Sequence, residues 1–153
     1  VLRAATADLD EEEDQMGPRA DRGPAYRRWL AGRTVSVVGL ARSGIAAARL
    51  IRRLGGRVLA SDSAAPASLP ADAWQLEREG CRLWTGGHPA EAFDDADLVV
   101  VSPGVPLTLP VLAAVRGRGV PVIGELELGW LVMEADLIAI TGTNGKTTTT
   151  ALT

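Results

Sequence analysis

From Thr34 onward the chain alternates short apolar runs with stretches in which apolar residues recur at helical spacing. Thr34-Val35-Ser36-Val37-Val38 is a β-branched run closed by Gly39; in Gly44 to Leu54 the residues Ala47, Leu50, Ile51 and Leu54 stand at i, i+3, i+4 and i+7. That pattern predicts strand, glycine turn and helix. Gly55-Gly56 stops the helix, Arg57 to Ser61 predicts a second strand, Pro70 to Arg78 a short helix, and Cys81 to Trp84 another strand. Asp97-Leu98-Val99-Val100-Val101-Ser102, apolar without a break at its centre, predicts a buried strand. Pro110 suits the first turn of a helix reaching about Arg118, which Gly119 ends. Val120 to Ile123 then predicts a short strand, Glu125 to Met133 a helix, and Asp136 to Ile140 a strand running into Gly142. Such alternation with short connections predicts an α/β fold: a parallel, doubly wound sheet with right-handed crossovers and helices on both faces.

Composition narrows the class. With 153 residues, 46% hydrophobic and 23% charged, the chain suits a folded domain of ordinary size and excludes a collagenous or wholly disordered protein. Asp8 to Asp14 carries six acids in seven positions and is followed by Gly17-Pro18 and Gly23-Pro24. Like charges and Pro/Gly punctuation leave little apolar surface to order such a segment, so residues 1–28 are expected to be a solvated, disordered leader. Residues 1–23 hold seven acids and three bases, so of the formal charge of −3 the remainder carries +1. A near-neutral body offers no electrostatic footprint for nucleic acid. The single cysteine closes no internal disulfide, and neither an N-terminal apolar h-region nor a run of about 18 apolar residues is present, so neither secretion nor membrane spanning is expected.

Two glycine-bearing turns carry candidate chemistry. The first is Gly39-Leu40-Ala41-Arg42-Ser43-Gly44 between strand and helix, with Asp62 at the end of the next strand. A turn of this kind lets backbone N–H groups approach a diphosphate at a helix N-terminus, and an acid after the second strand can accept a hydrogen bond from the ligand. The middle glycine of the dinucleotide fingerprint is replaced by Ala41, so the turn indicates the diphosphate of a nucleotide without saying which. Ser102-Pro103-Gly104 is expected at the same carboxyl edge of the sheet. The second is Gly142-Thr143-Asn144-Gly145-Lys146-Thr147-Thr148-Thr149, which follows an apolar strand and holds the chain's only lysine among sixteen basic residues. Its amides would wrap phosphates, Lys146 would neutralise β/γ oxygens and the Thr147 hydroxyl would hold Mg²⁺. Ile140 stands where the general phosphate loop has its first glycine.

The other chemistry-bearing residues read as structural. Cys81 has no second cysteine or evident base and is expected to be inert; His88, in Gly86-Gly87-His88-Pro89, lacks metal-ligand spacing and is expected to be solvated or bonded to backbone. Glu125 and Glu127 are two apart on a helix and do not share a face, which argues against a carboxylate pair for acid/base work. Trp29, Trp74, Trp84 and Trp130 are scattered and read as packing residues rather than a base-stacking platform.

Over about residues 33–153 the chain resembles the Mur ligase family. The pieces that carry the resemblance are Val38-Gly39-Leu40-Ala41-Arg42-Ser43-Gly44, Ser102-Pro103-Gly104-Val105-Pro106, Pro121-Val122-Ile123-Gly124-Glu125-Leu126-Glu127 and Ile140-Thr141-Gly142-Thr143-Asn144-Gly145-Lys146-Thr147-Thr148. The last marks the superfamily and the earlier ones favour its D-glutamate-adding member. The resemblance implies a three-domain, ATP-dependent amide ligase whose Rossmann-like first domain grips a UDP-linked substrate, here residues 29–134, with residues 135–153 opening a central ATPase domain. It implies that Arg42 and Ser43 contact the uridine diphosphate, that Asp62 and Ser63 recognise uracil, and that Gly104 adds a backbone contact. Ala41 and Ala64 depart from the family pattern at these contacts. ATP would be held by Gly142, Thr143, Asn144, Gly145, Lys146, Thr147 and Thr148, with Lys146 and Thr147 catalytic and Thr147 on Mg²⁺. The implied substrates are UDP-N-acetylmuramoyl-L-alanine and D-glutamate, joined through an acyl phosphate in peptidoglycan synthesis. A cytoplasmic location and an inactive 153-residue piece are the corresponding expectations. The rival readings are another Mur-type or folylpolyglutamate-type amide ligase, a non-catalytic UDP-sugar-binding fragment, and an NAD(P)-binding oxidoreductase or sensor module.

Overall fold

The structure, a computed structural model, describes residues 22–135. Strands β1 (Thr34–Val38), β2 (Arg57–Asp62), β3 (Arg82–Thr85), β4 (Leu98–Val101) and β5 (Val122–Gly124) form one sheet in the order β3-β2-β1-β4-β5. All four pairings are parallel, with Val35 opposite Val58 on one side and Leu98 on the other. The chain steps outward from β1 to β3 and then returns across the sheet to β4. That reversal makes the β1/β4 boundary a topological switch point, where open α/β sheets bind ligands beyond their carboxyl ends. The connecting helices are α1 (Pro24–Leu30), α2 (Arg42–Arg53), α3 (Ala71–Arg78), α4 (Pro110–Gly117) and α5 (Glu125–Val132), with 3₁₀ turns at Pro66–Ser68 and Ala90–Phe93.

Every residue of β1 is buried because both faces of the sheet are covered. Val35 and Val37 face a cluster with Ile45, Ala48 and Ile51 of α2, Tyr26 and Leu30 of α1, and Leu128 and Leu131 of α5. Val38, Val99 and Val101 face the other way, onto Phe93 and onto Leu112 and Val115 of α4. Ser36 is the polar exception on that second face, and its hydroxyl donates to the Ala92 carbonyl at 2.6 Å, which removes the penalty of burying it unpaired. Ile51 is fully buried, worth about 1.5–3 kcal/mol of burial; Ile51→Ala would cost about 2–5 kcal/mol. Trp29 and Trp130 pack on the first cluster and Trp84 on the second. Arginines lie over all three rings, Arg22 on Trp130 at 4.4 Å, Arg33 on Trp29 at 5.4 Å and Arg82 on Trp84 at 5.2 Å.

The structure corrects several boundaries. The disordered leader expected through residue 28 does not extend that far, because Pro24 opens α1 at its first turn and Tyr26 and Leu30 enter the core at 1% and 0% exposure. Gly23 N–H also donates to the Leu131 carbonyl, tying α1 to α5. Helix α2 begins at Arg42 rather than Gly44, since its first turn is exposed and polar and leaves no trace in the apolar period. β5 runs Val122–Gly124, not Val120 to Ile123: the Val120 amide instead donates to the Val115 carbonyl and closes α4. Among the described residues no helix is long and apolar enough to cross a membrane. The strand expected at Asp136 to Ile140 and the phosphate loop after it lie outside the described residues.

Candidate functional site

The carboxyl ends of β1, β2 and β4 and the start of α5 converge on the first glycine turn. Gly39 leaves β1 at φ +93°, a conformation that an L side chain rarely adopts. Its N–H donates to the Ser61 carbonyl at 2.8 Å. The next amide, Leu40, donates to Asp62 Oδ2 at 2.6 Å. Helix α2 then starts without any side-chain cap, so its first amides have neither an intrahelical nor a capping partner. Ala41, Arg42 and Ser43 are all exposed there, and the helix dipole adds partial positive charge at the same spot. Gly44 allows the close approach: a Cβ on it would lie 1.9 Å from the Gly39 carbonyl oxygen.

Asp62, the last residue of β2, has both carboxylate oxygens engaged with backbone. Oδ2 takes the Leu40 amide and Oδ1 takes the Ala64 amide at 2.7 Å. Its own carbonyl accepts from Gly87 N–H at 3.0 Å, and that of Ala64 from Gly86 N–H at 2.8 Å. The loop Gly86 to Pro89 is thereby laid against the end of β2. His88 Nδ1 lies 2.9 Å from the buried Ser61 hydroxyl, which corrects the expectation of a solvated or backbone-bonded ring. Burial pulls its pKa below the ordinary value of 6.5, against the opposing pull of the Asp62 carboxylate. Cys81 is 4% exposed, and burial pushes its thiol above the ordinary value of 9.0, with Arg52 acting against the shift and Glu79 adding to it.

On the β4 side, Ser102 is 5% exposed and its hydroxyl reaches two acceptors. One is the Gly39 carbonyl at 3.0 Å; the other is Glu125 Oε1. The sequence argues against pairing Glu125 with Glu127 but does not place Glu125 beside Ser102. The usable signal was an acid at the first position of a helix directly after a glycine-ended strand, where the helix dipole favours negative charge.

The expected substrate residues therefore gather on one edge: Arg42 and Ser43 at the start of α2, Asp62 and Ser63 at the end of β2, and Gly104 just beyond β4, with Ser63 and Gly104 exposed. Lys146 and the rest of the expected ATP loop, Gly142, Thr143, Asn144, Gly145, Thr147 and Thr148, lie outside the described residues. A groove of about 320 Å³ between α2 and α3 opens beside Arg42 and is lined by Arg49, Arg53 and Asp72. A larger one, about 760 Å³, lies at the opposite, amino edge of the sheet, where Arg33 pairs with Asp97 at 3.1 Å. The glycine turn, Asp62 and Ser102 lie at the carboxyl edge, opposite this larger groove. Among the described residues no cluster of three or more His, Cys, Asp or Glu could hold a metal ion.

Residues 33–124 match the family described as Mur ligase MurD-like, N-terminal domain. The chain is 52% identical over 125 residues to the UDP-N-acetylmuramoylalanine–D-glutamate ligase of Anaeromyxobacter dehalogenans, an alignment covering 81% of this chain and 27% of that one. It is 45% identical over 123 residues to the ligase of the same name from Shouchella clausii, covering 80% of this chain and 27% of that one. Among solved structures, a pseudomurein peptide ligase type C from Methanothermus fervidus superposes with a TM-score of 0.54 at 27% identity, over 77% of this chain and 24% of that chain. The chain thus spans little more than a quarter of the length of the curated relatives it matches.

Proposed function

The chain belongs to the Mur ligase family as a MurD-like N-terminal domain, and from that premise we propose that it is the nucleotide-gripping part of an ATP-dependent ligase that adds D-glutamate to UDP-N-acetylmuramoyl-L-alanine. The observation that carries the reading is the uncapped start of α2 at the switch point, with Arg42 and Ser43 exposed beside open amides. Ala41, Arg42 and Ser43 would offer N–H groups to the diphosphate and Arg42 its guanidinium, a planar donor that matches phosphate oxygens. The Leu40 amide is already committed to Asp62, so it takes no part. Ser63 and Gly104, at the rim of the same edge, would meet the uracil, with Asp62 holding the Ala64 amide next to Ser63.

In this reading the whole enzyme uses ATP to phosphorylate the alanyl carboxylate, releasing ADP, and the D-glutamate amine then displaces phosphate from the acyl phosphate. ATP and Mg²⁺ would be held at Gly142 to Thr148, residues that lie outside the described ones, with Lys146 and Thr147 in the leading roles. The described domain contributes binding energy on the remote nucleotide, which holds the reacting carboxylate in place for a step occurring elsewhere. Calorimetric titration of the chain with UDP and, separately, NADH tests the reading. Saturable UDP uptake that weakens about tenfold or more in Arg42→Ala is expected, as befits loss of a charge-assisted contact. Saturable NADH uptake with none of UDP would overturn it.

A further inference from the structure

Gly39 C=O and Leu40 N–H are the two polar ends of one peptide unit, and each is held by a different part of the fold. The Leu40 N–H donates directly to Asp62 at 2.6 Å. The Gly39 carbonyl accepts from the Ser102 hydroxyl at 3.0 Å, and that hydroxyl is itself bonded to Glu125. This peptide is the hinge on which the direction of the following amides depends. Because Gly39 lacks a side chain and sits at φ +93°, rotation about its bonds is otherwise cheap.

We propose that Glu125 is a positioning residue for the diphosphate turn, acting through Ser102 to lock the Gly39–Leu40 peptide so that the first amides of α2 point at the ligand before it arrives. The proposal rests on the nucleotide reading of that turn. Ser102 shares its one hydroxyl proton between two acceptors, so the pull of Glu125 holds Oγ in place while the Gly39 carbonyl takes the weaker branch of the shared bond. It also has no room to move. A Cβ on Gly39 would lie 2.8 Å from Ser102 Cβ, and one on Gly44 would lie 2.8 Å from Ser102 Oγ. Ser102 thus fills the space that both glycines leave open, and Glu125 backs it from the N-terminus of α5.

A carboxylate beside an anion site invites the opposite interpretation, that Glu125 simply repels phosphate, and the two differ in sign. Positioning demands an acceptor at residue 125; repulsion depends on its charge. Glu125→Ala removes both, whereas Glu125→Gln keeps an amide oxygen that can accept from Ser102 and removes only the charge. In ligand-free chain, exchange of the Leu40 amide is expected to rise about tenfold in Glu125→Ala while the amides of Val35 to Val37 keep their protection, and UDP affinity is expected to fall by a similar factor. Glu125→Gln should remain within about threefold of the parent on both readouts. Unchanged Leu40 exchange in Glu125→Ala, UDP affinity unchanged or raised in it, or a Gln variant as impaired as the Ala variant would each overturn the proposal. If the parent chain takes up no UDP the nucleotide reading fails, and Leu40 exchange still decides whether Glu125 holds the turn.

Discussion

Gly44→Ala sets two effects of opposite sign against each other. In an exposed helix, Gly to Ala stabilises by about 1 kcal/mol, because alanine loses less backbone freedom on folding. At residue 44 the added Cβ would stand 1.9 Å from the Gly39 carbonyl oxygen, where ordinary contact begins at 3.4 Å. Both atoms are fixed by backbone, so no rotamer change relieves the overlap, and the start of α2 must separate from the end of β1. Overpacking of this kind costs about 1–3 kcal/mol. Displacing the Gly39 carbonyl also endangers its 3.0 Å hydrogen bond from Ser102, worth about 1 kcal/mol. Steric cost therefore wins, with a net loss of about 1–3 kcal/mol once the helix preference is set against it. For a domain of this size that lowers the unfolding midpoint by roughly 5–20 °C. Urea and thermal unfolding, followed by tryptophan fluorescence in parent and variant, measure it. A variant at least as stable as the parent would show that helix preference governs the position and that the close approach of turn and helix is not needed.

Two further outcomes follow from His88 and Cys81, whose pKa values are shifted by desolvation. His88 has a folded pKa below its ordinary value of 6.5, so the folded state binds fewer protons than the unfolded one as pH falls; the associated stability is complete above about pH 6.5 and is lost as pH drops through the folded value. His88→Gln should therefore flatten the decline of the unfolding midpoint between about pH 7 and pH 5, and parallel curves for parent and variant would refute the linkage. Cys81, buried with its thiol pushed up, should react with a thiol reagent at native pH only at the rate of unfolding; labelling as fast as free cysteine would contradict that.

The centre of the sheet was legible because β1 and β4 are buried along their whole length and so appear as nearly unbroken apolar runs. Thr34–Val38 and the helices closed by Gly55 and Gly119 follow directly from apolar period and glycine stops. What escaped were elements whose evidence lies in partners far along the chain. Helix α1 has only 7 residues and two fully buried side chains, Tyr26 and Leu30. It owes its order to α5, reached through the Gly23–Leu131 bond and the Arg27 side chain on the Val132 carbonyl at 2.8 Å. An acidic, proline-punctuated approach concealed that local signal. The 3₁₀ turn at Ala90–Phe93 likewise depends on tertiary contact, since Phe93 is held in the second cluster and Ala92 takes the Ser36 hydroxyl.

At the carboxyl edge of the sheet the residues that the sequence singles out in residues 33–124 lie together, but no local pattern specifies what each of them does. Asp62 illustrates why. An acid after the second strand fits direct ligand recognition, yet here both of its oxygens accept backbone amides, from Leu40 and Ala64. Each oxygen keeps a second lone pair, so a ligand contact is still chemically open. Its demonstrated work is to hold one side of the glycine turn while Ser102 and Glu125 hold the other. No local pattern announces this arrangement, because the three side chains come from β2, from the end of β4 and from α5, and meet only once the sheet has formed. A turn that must present bare amides to an anion cannot hold itself rigid with those same amides. Under the proposed nucleotide reading the restraint has to come from groups on its far side, and carboxylates serve there because they accept hydrogen bonds from the turn and its neighbours without competing for the donors that phosphate would take.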